Sequence, residues 1–223
     1  MARWQAFFFD FDGVLADSVE IKTRAFARMF EPHGEPIRLK VIEHHRNNGG
    51  MTRRDKFSYY YREFLGKTLN SEELDRLCNR FAVLVVDEVV AAPEIPGATA
   101  FLEDWYKEVA CFVISAAPEG EIREIIRRRS LVPYFKEIGG APVTKEIHLK
   151  SLLRQYGFDA AGCVYFGDAE TDYTAAKTAG INFVAVLPSS TAPLLEIAPQ
   201  LRWAKDFISI SKDLDALLPK SNP

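Results

Sequence analysis

The sequence has few cysteines, no long hydrophobic segment and no excess of basic residues. The three cysteines, Cys78, Cys111 and Cys163, lie far apart, and no CxxC or Cys/His spacing predicts a zinc site. The first apolar run, residues 6–9, is too short for a signal-peptide core or a membrane span. A formal net charge of -3 gives no reason to expect a nucleic-acid partner. We therefore expect a cytoplasmic protein with reduced thiols that binds neither membrane nor nucleic acid.

The chain of 223 residues is long enough for one large domain with a smaller companion. From about residue 98 onward, short apolar segments alternate with helical patterns. The segments ACFVIS, CVYFGD and NFVAVL are predicted strands, and EGEIREIIRRRSL, TKEIHLKSLLRQYG and AETDYTAAKTAG are predicted helices. A further helix is expected from Gly97 to Val109, and Gly157 is expected to end the helix before it. This alternation predicts an α/β fold, a doubly wound parallel sheet with a Rossmann-like core.

Residues 18–92 have a different pattern, in which three long segments are helical and only loop residues separate them. This block follows the first predicted strand, residues 6–9, and precedes the α/β part. We therefore expect an inserted α-helical cap domain at residues 17–92 and a core made of residues 1–16 and 93–223. The C-terminal KSNP is predicted to be a frayed end.

Two carboxylates, Asp10 and Asp12, directly follow the aromatic first strand in AFFFDFDGVLADS. Aspartates are common in turns, so a plain strand-to-turn junction is one interpretation. Ligands of parallel α/β sheets, however, bind beyond the carboxyl ends of the strands. The other predicted strands and the helix starts place further polar residues at that same edge, namely Ser115, Lys145, Asp168 and Asp172. Such a convergent set predicts a functional site.

This set of side chains suits phosphoryl transfer. A carboxylate can attack phosphorus and form an aspartyl-phosphate, which water then cleaves. Asp10 and Asp168 are well matched to one Mg²⁺, which prefers oxygen ligands and is completed by the substrate phosphate. Lys145 and Ser115 would hold the phosphoryl oxygens.

Four segments together resemble the motifs of the haloacid dehalogenase (HAD) superfamily of phosphatases. DFDGVLADS resembles motif I, and Ser115 in VISAAPEGEI resembles motif II. Lys145 in GGAPVTKEIHL resembles motif III, and GDAETDYTAAKTAG resembles motif IV. The four occur in the family's order, and the helical insert resembles the cap domain of its phosphoglycolate phosphatase and β-phosphoglucomutase branch. The resemblance departs from the family in motif II, where Ala116 and Ala117 stand in place of Thr, Asn or Ser.

The resemblance implies a role for each matching residue. Asp10 would be the nucleophile and a metal ligand, and Asp12 would be the general acid and base, with its main-chain carbonyl on the metal. Ser115 and Lys145 would be catalytic and would bind the phosphoryl group, with Ala116 beside them. The metal would be Mg²⁺, also held by Asp168 and by Asp172, the latter either as a direct ligand or as a support for the ligands. Alternatively, Asp172 is only an acidic residue in the first turn of its helix that interacts favourably with the helix N-terminus.

The same residues help to distinguish phosphatases from other activities of this fold. Dehalogenases of this fold lack an acid two residues after the nucleophile, so Asp12 favours phosphate chemistry. A phosphonatase would need a Schiff-base lysine near motif I, but the surroundings of Lys22 predict a helix surface. A sugar-phosphate mutase would use the same Asp10 and Asp12, and it remains the alternative to a phosphatase. A catalytically silent binding module is the third hypothesis, against which the intact acids and Lys145 argue.

The insert contains a basic, glycine-containing segment, residues 43–57, which we interpret as a specificity loop. GGMTR resembles the KGVSR stretch of β-phosphoglucomutase-like proteins. The predicted substrate-binding residues here are Arg53, Arg46, His45 and Gly50. A solvated basic turn is the alternative. The partner is expected to be a small phosphorylated metabolite, and the chain is expected to be a monomer or a weak homodimer.

Overall fold

A computed structural model describes residues 4–214 and residue 217. Within these residues six parallel strands form one sheet, in the order β3-β2-β1-β4-β5-β6. The strands are β1 (Ala6–Phe9), β2 (Ala110–Pro118), β3 (Glu137–Ala141), β4 (Cys163–Gly167), β5 (Asn182–Val186) and β6 (Trp203–Ala204). The order reverses at β1, which pairs with β2 on one side and β4 on the other. The predicted doubly wound parallel sheet is confirmed.

Both faces of the sheet are buried, which explains why its strands are apolar throughout. In β1, Phe7 and Phe9 face one hydrophobic cluster and Phe8 faces another. All three side chains are fully buried, and each contributes about 1.5–3 kcal/mol to folding through its burial. Cys111 and Cys163 are buried within β2 and β4 among apolar neighbours.

The core helices cover the two faces of the sheet. They are α5 (Ala98–Trp105), α6 (Glu119–Arg128), α7 (Lys145–Tyr156), α8 (Glu170–Ala179), α9 (Pro193–Ile197) and α10 (Phe207–Asp213). Helices α7 and α8 pack on the face of Phe8, whereas α5, α6 and α10 pack on the face of Phe7. Gly157 and Gly180 end α7 and α8 in the left-handed conformation, as the sequence predicts for Gly157.

Four helices form the insert between β1 and β2: α1 (Val19–Phe30), α2 (Glu35–Asn47), α3 (Arg53–Tyr59) and α4 (Ser71–Ala91). A π-helical turn at Tyr60–Phe64 extends α3. The insert has an aromatic interior around Phe26, whose ring contacts Phe57, Tyr60 and Phe81. These residues belong to the same hydrophobic cluster as the Phe7 face of the sheet, so the insert packs directly on the core.

Some elements differ from the prediction. Helix α5 ends at Trp105 rather than Val109, because the Trp105 carbonyl accepts from Glu108 and Val109 in a tight turn into β2. Helix α2 and strands β3 and β6 were not predicted. Strand β3 contains Gly139 and Gly140, which add no hydrophobic signal. The C-terminal KSNP lies outside the described residues. Among the helices of the described part, none is both long and apolar enough to cross a membrane.

Candidate active site

Asp10 lies directly beyond β1, at the carboxyl edge where the strand order reverses. Its backbone N–H donates to the Phe166 carbonyl of β4 at 2.9 Å, which continues the strand pairing up to this residue. One carboxylate oxygen accepts from the Phe11 N–H at 2.8 Å, and the other lies 2.9 Å from the Lys145 ammonium. Both carboxylate oxygens are therefore held in fixed directions, and the side chain is buried.

Lys145 reaches Asp10 from the first turn of α7. Thr144 begins this helix, and its hydroxyl accepts from the Ile147 N–H. The Lys145 ammonium also lies 2.5 Å from Asp172, and these two carboxylates raise its pKa even though burial opposes them. Lys150, further along α7, is exposed and pairs with Glu146. The structure thus brings Lys145, rather than Lys150, to Asp10.

Asp172 is fully buried and is held by donors on all sides. One oxygen accepts from Lys145 and lies 3.0 Å from the Tyr165 hydroxyl. The other accepts from the backbone N–H groups of Asp168 and Ala169, at 3.2 and 3.1 Å. These contacts fix the turn that carries Asp168. They favour a supporting role for Asp172 over direct metal ligation, because its oxygens already have donors.

Carboxylate oxygens of Asp10, Asp168 and Asp172 lie within 4.8 Å of one another. Burial raises the pKa of Asp10 to about 7 despite the Lys145 ammonium, and Asp172 and Asp12 act in the same direction. Burial and the neighbouring Asp10 and Asp172 raise the pKa of Asp168 well above its usual range. The Lys145 charge opposes this rise, but among the described residues the Asp168 carboxylate accepts no hydrogen bond and forms no ion pair. A divalent cation between Asp10 and Asp168 would relieve this repulsion, so the donor set fits Mg²⁺.

Asp12 lies two residues beyond Asp10 and belongs to a different set of contacts. Its carboxylate accepts from the Ser18 hydroxyl at 2.6 Å and pairs with the Lys22 ammonium of α1. Burial alone would raise the pKa of Asp12, but Lys22 and Ser18 lower it below its usual value. The two acids of motif I are thus held in different electrostatic environments, which is the arrangement that allows two carboxyl groups to take different tasks.

Gly13 makes the close approach of motif I to motif IV possible. Its φ of +78° lies in the left-handed region, and a Cβ there would overlap the Asp168 carboxylate. Any larger residue would push Asp168 away from Asp10.

A cavity of about 50 Å³ lies between the acids and the insert. The core side of its wall is formed by Asp10, Asp12, Asp168, Ala116 and Ala117. The insert side contributes four basic residues, Lys22, His45, Arg53 and Lys56. A larger cleft of about 670 Å³ lies next to it, and Asp168 and Gly49 line both. The site is therefore enclosed on the insert side and borders a wider opening near Asp168.

The structure separates the predicted substrate-binding residues of the insert into two groups. His45 and Arg53 line the cavity and are buried. Arg46 is exposed and pairs with Glu20, and both Arg46 and Gly50 line the larger cleft. At Gly50 a Cβ would overlap the Thr171 side chain, so the insert touches the core there.

The limits of the predicted specificity loop are wrong. Helix α2 continues to Asn47 and α3 begins at Arg53, so that only residues 48–52 form a loop. Residues 43–47 are polar, which is typical of a loop. His45, however, is buried against Phe26, and this contact packs the last turn of α2 against α1. Thr52 caps α3, because its hydroxyl accepts from the Asp55 N–H.

Motif II contributes two small residues, Ala116 and Ala117, to the cavity wall. Ser115 is buried, and its hydroxyl accepts from the Ala117 N–H at 3.1 Å. Ala116 and Ala117 themselves line the cavity. The small side chains leave room beside Asp10, and no side-chain hydroxyl or amide follows Ser115 there.

The contacts of Lys22 and Lys56 differ from what the sequence predicts or were not predicted from it. Lys22 was predicted to lie on a helix surface, but its side chain is only 15% exposed and pairs with Asp12. Lys56 is buried and contacts His45. A usable signal existed in both cases. Lys22 lies four residues after Ser18, and Lys56 lies three residues after Arg53, which are spacings that place residues on one helix face.

Comparisons with known proteins agree with this architecture. The family described as haloacid dehalogenase-like hydrolase matches residues 7–186. Phosphoglycolate phosphatase 1 of Pseudomonas aeruginosa is 26% identical over 205 residues, which are 86% of this chain and 74% of that protein. A solved hydrolase from Pseudomonas syringae has a TM-score of 0.75 at 21% identity, covering 97% of this chain and 100% of that chain.

A second solved structure is that of YfnB from Bacillus subtilis, which is bound to magnesium. It has a TM-score of 0.70 at 16% identity and covers 96% of this chain and 99% of that chain. The family match spans residues 7–186, which include strands β2 to β5, most of β1 and all four motifs that converge on Asp10. This chain belongs to the haloacid dehalogenase-like hydrolases.

Proposed function

We propose that the protein is a phosphatase that hydrolyses a small phosphate monoester through an aspartyl-phosphate on Asp10. One observation carries the proposal: the buried Asp10 carboxylate lies beside Lys145 and Asp168, while Asp12 is held separately by Ser18 and Lys22. This arrangement has a nucleophile, a positive charge beside it and an independent acid within one cavity.

The reaction assigns one task to each acid. An oxygen of Asp10 forms a bond to phosphorus as the bond to the leaving oxygen breaks, and Asp12 donates a proton to that oxygen. Water then attacks phosphorus, Asp12 takes its proton, and the bond from Asp10 to phosphorus breaks. The phosphate dianion favours the protonated form of Asp12 when it arrives beside this carboxylate. Lys145 stabilises the charge on the phosphoryl oxygens and orients Asp10.

Mg²⁺ is the proposed metal, with the carboxylates of Asp10 and Asp168 and the main-chain carbonyl of Asp12 as its ligands. When bound, it would neutralise charge on the phosphoryl oxygens and hold them in line with the nucleophile. The unpartnered carboxylate of Asp168 supports this assignment. Asp172 is proposed to position Asp168 and Lys145 through its hydrogen bonds. The magnesium in YfnB is consistent with the choice of metal.

Residues 17–92 are proposed to act as a cap over the core, residues 1–16 and 93–223. His45 and Arg53 from this cap are proposed to contact the substrate in the cavity, and Arg46 and Gly50 to border its entrance at the larger cleft. The phosphoglycolate phosphatase activity in the name of the Pseudomonas aeruginosa relative makes small phosphorylated acids the first compounds to test.

The test is phosphate release from a panel of sugar phosphates, phosphoglycolate and nucleotides in the presence of Mg²⁺. Acid quenching during turnover, followed by peptide mass spectrometry, should find the added phosphoryl group on Asp10. A labelled peptide that lacks Asp10 would refute the mechanism. Product analysis separates the alternatives, because a mutase would yield an isomeric sugar phosphate with little inorganic phosphate.

A further inference from the structure

Lys56 is a buried ammonium group in the cavity wall that the proposed reaction does not use. Its side chain comes from α3 of the insert and is 2% exposed. The ammonium lies 2.7 Å from Nδ1 of His45 and 5.7 Å from the centre of the Phe26 ring. Among the described residues, no carboxylate forms an ion pair with it. A buried charge is costly unless it is paired, so this lysine lacks a partner that a ligand can supply.

The other basic residues of the cavity wall already have partners. Lys22 pairs with Asp12, and Arg53 donates two hydrogen bonds to Glu121. Burial and the neighbouring Lys22 lower the pKa of Lys56 to about 7, which is the response of an ammonium without a counter-ion. In the described part of the chain, Lys56 is thus the lysine of this wall that forms no ion pair, and the more distant charges of Asp12 and Asp168 offset its burial only in part.

Two further buried donors of the cavity wall, on His45 and Arg53, lack a hydrogen-bond partner of normal geometry. Burial and the two nearby lysines lower the pKa of His45 to about 3, so the imidazole is neutral. Because Nδ1 accepts from Lys56, the ring carries its hydrogen on Nε2. That atom is buried and has no hydrogen-bond partner beyond a weak approach to the Val19 backbone. The Nε–H of Arg53 is buried and unpartnered as well. Among the described residues, the insert wall therefore offers three donor groups to the cavity, those of Lys56, His45 and Arg53.

This wall and Asp12 line the same cavity. Asp12 is proposed to protonate the leaving oxygen, and its negative charge acts on the Lys56 ammonium. An anionic oxygen group on the leaving alcohol would therefore meet Lys56. The cavity volume of about 50 Å³ suits a compact group, because one water-sized site needs about 10–15 Å³.

We propose that Lys56, with Nε2 of His45 and Nε of Arg53, forms a subsite for a carboxylate of the leaving group. The preferred substrate class is then a short phosphorylated hydroxy acid rather than a neutral sugar phosphate. This inference rests on the proposed phosphatase function and adds the part of the substrate that the insert recognises.

The test compares two phosphate esters that differ in the carboxylate alone, 2-phosphoglycolate and ethyl phosphate. The wild-type kcat/KM for phosphoglycolate should be about 10- to 100-fold higher, the effect of a charge-assisted hydrogen bond. In Lys56→Met, which keeps the length of the side chain without the charge, this ratio should fall towards one. Lys67→Met makes the same change at an exposed position of the insert and should keep the wild-type ratio.

A binding measurement makes the subsite testable without turnover. Calorimetry with Mg²⁺ should show that 3-phosphonopropionate binds at least tenfold more tightly than propylphosphonate to the wild type, and equally tightly to Lys56→Met. Lys56→Gln gives the same comparison if Lys56→Met does not fold.

An unchanged ratio in both Lys56 variants would overturn the subsite. Equal losses on both esters would also overturn it, because Lys56 would then act on the phosphoryl group itself. If neither ester, nor an aryl phosphate, releases phosphate, the phosphatase function fails, and calorimetry alone decides the subsite.

Discussion

The Arg53 guanidinium of the insert donates two hydrogen bonds to the Glu121 carboxylate of the core, at 2.8 and 2.6 Å. Both side chains are only 7% exposed, and Arg53 also lies 4.4 Å from the centre of the Phe81 ring. This ion pair joins α3 to α6 beside the cavity. It ties the position of the insert over Asp10 to a contact formed by residues 68 positions apart.

Removing either partner of this pair should weaken the contact between insert and core. Arg53→Gln and Glu121→Gln should each lower the stability of the protein, because the remaining charge is buried without a partner. The double variant should recover part of the loss, with a coupling of about 1–3 kcal/mol. Urea unfolding of the four proteins measures this coupling. Additive losses would show that the two groups do not interact in solution.

Asp10→Asn should abolish turnover, because an amide cannot attack phosphorus. The metal-free variant should also melt a few degrees above the wild type at pH 7. The raised pKa of Asp10, about 7, means that the folded state disfavours its ionised form. This free-energy cost is absent when the pH lies below the pKa of Asp10 in the unfolded chain. It grows between about pH 4 and pH 7 and is fully present above about pH 7. The gain should therefore vanish near pH 4.

Scanning calorimetry in EDTA at pH 4 and pH 7 tests this dependence. In saturating Mg²⁺ the order of melting temperatures should reverse, since the cation stabilises the ionised wild-type site. An equal gain at both pH values would mean that the charge of Asp10 is not its source.

Lys22→Met should destabilise the protein by about 1–3 kcal/mol near neutral pH, because it removes the ion pair with the buried Asp12 carboxylate. Because the pKa of Asp12 is lower in the folded protein, this stabilisation is fully present when the pH lies above the pKa of Asp12 in the unfolded chain. It is lost as the pH falls through the folded pKa, so the difference should persist from pH 8 to pH 5 and shrink below about pH 4. Urea titrations across this range provide the measurement. In an Asp12→Asn background the effect of Lys22→Met should become small.

Asp12→Asn should affect substrates according to their leaving groups. Aryl phosphates leave without much protonation, so they should still phosphorylate Asp10, whereas alkyl phosphates should lose at least about 100-fold in rate. Hydrolysis of the intermediate should slow with both, because the general base is absent. Rapid-quench measurement of phosphoenzyme and free phosphate separates the two steps. Equal losses of the first step on both substrate classes would contradict the acid role of Asp12.

EDTA should stop phosphate release, and Mg²⁺ should restore it. Ca²⁺ should bind but support little turnover, because its larger and more variable coordination does not hold the in-line geometry. Asp168→Asn should weaken Mg²⁺ binding by at least about tenfold in calorimetry, while Lys150→Met, on the exposed face of α7, should bind as the wild type does. Full activity in the chelator would refute the metal dependence.

The sequence by itself determined the family, the parallel sheet and the residues that meet at its carboxyl edge. These predictions succeeded because they depend on local patterns. Apolar strands such as β1 are buried on both faces, and polar residues that follow parallel strands, such as Asp10 and Asp168, must converge. Gly157 ended α7 for an equally local reason, its left-handed conformation.

Only the tertiary structure decided how the insert meets the core. The pairing of Lys22 with Asp12, the burial of Lys56 beside His45 and the Arg53–Glu121 ion pair all join different elements. The side-chain pattern of one helix shows which residues share a face, but not which face another element covers. A basic residue in a helix therefore has the same sequence signature whether it is solvated or buried, and only the packing of the insert on the sheet placed these cations around the acids.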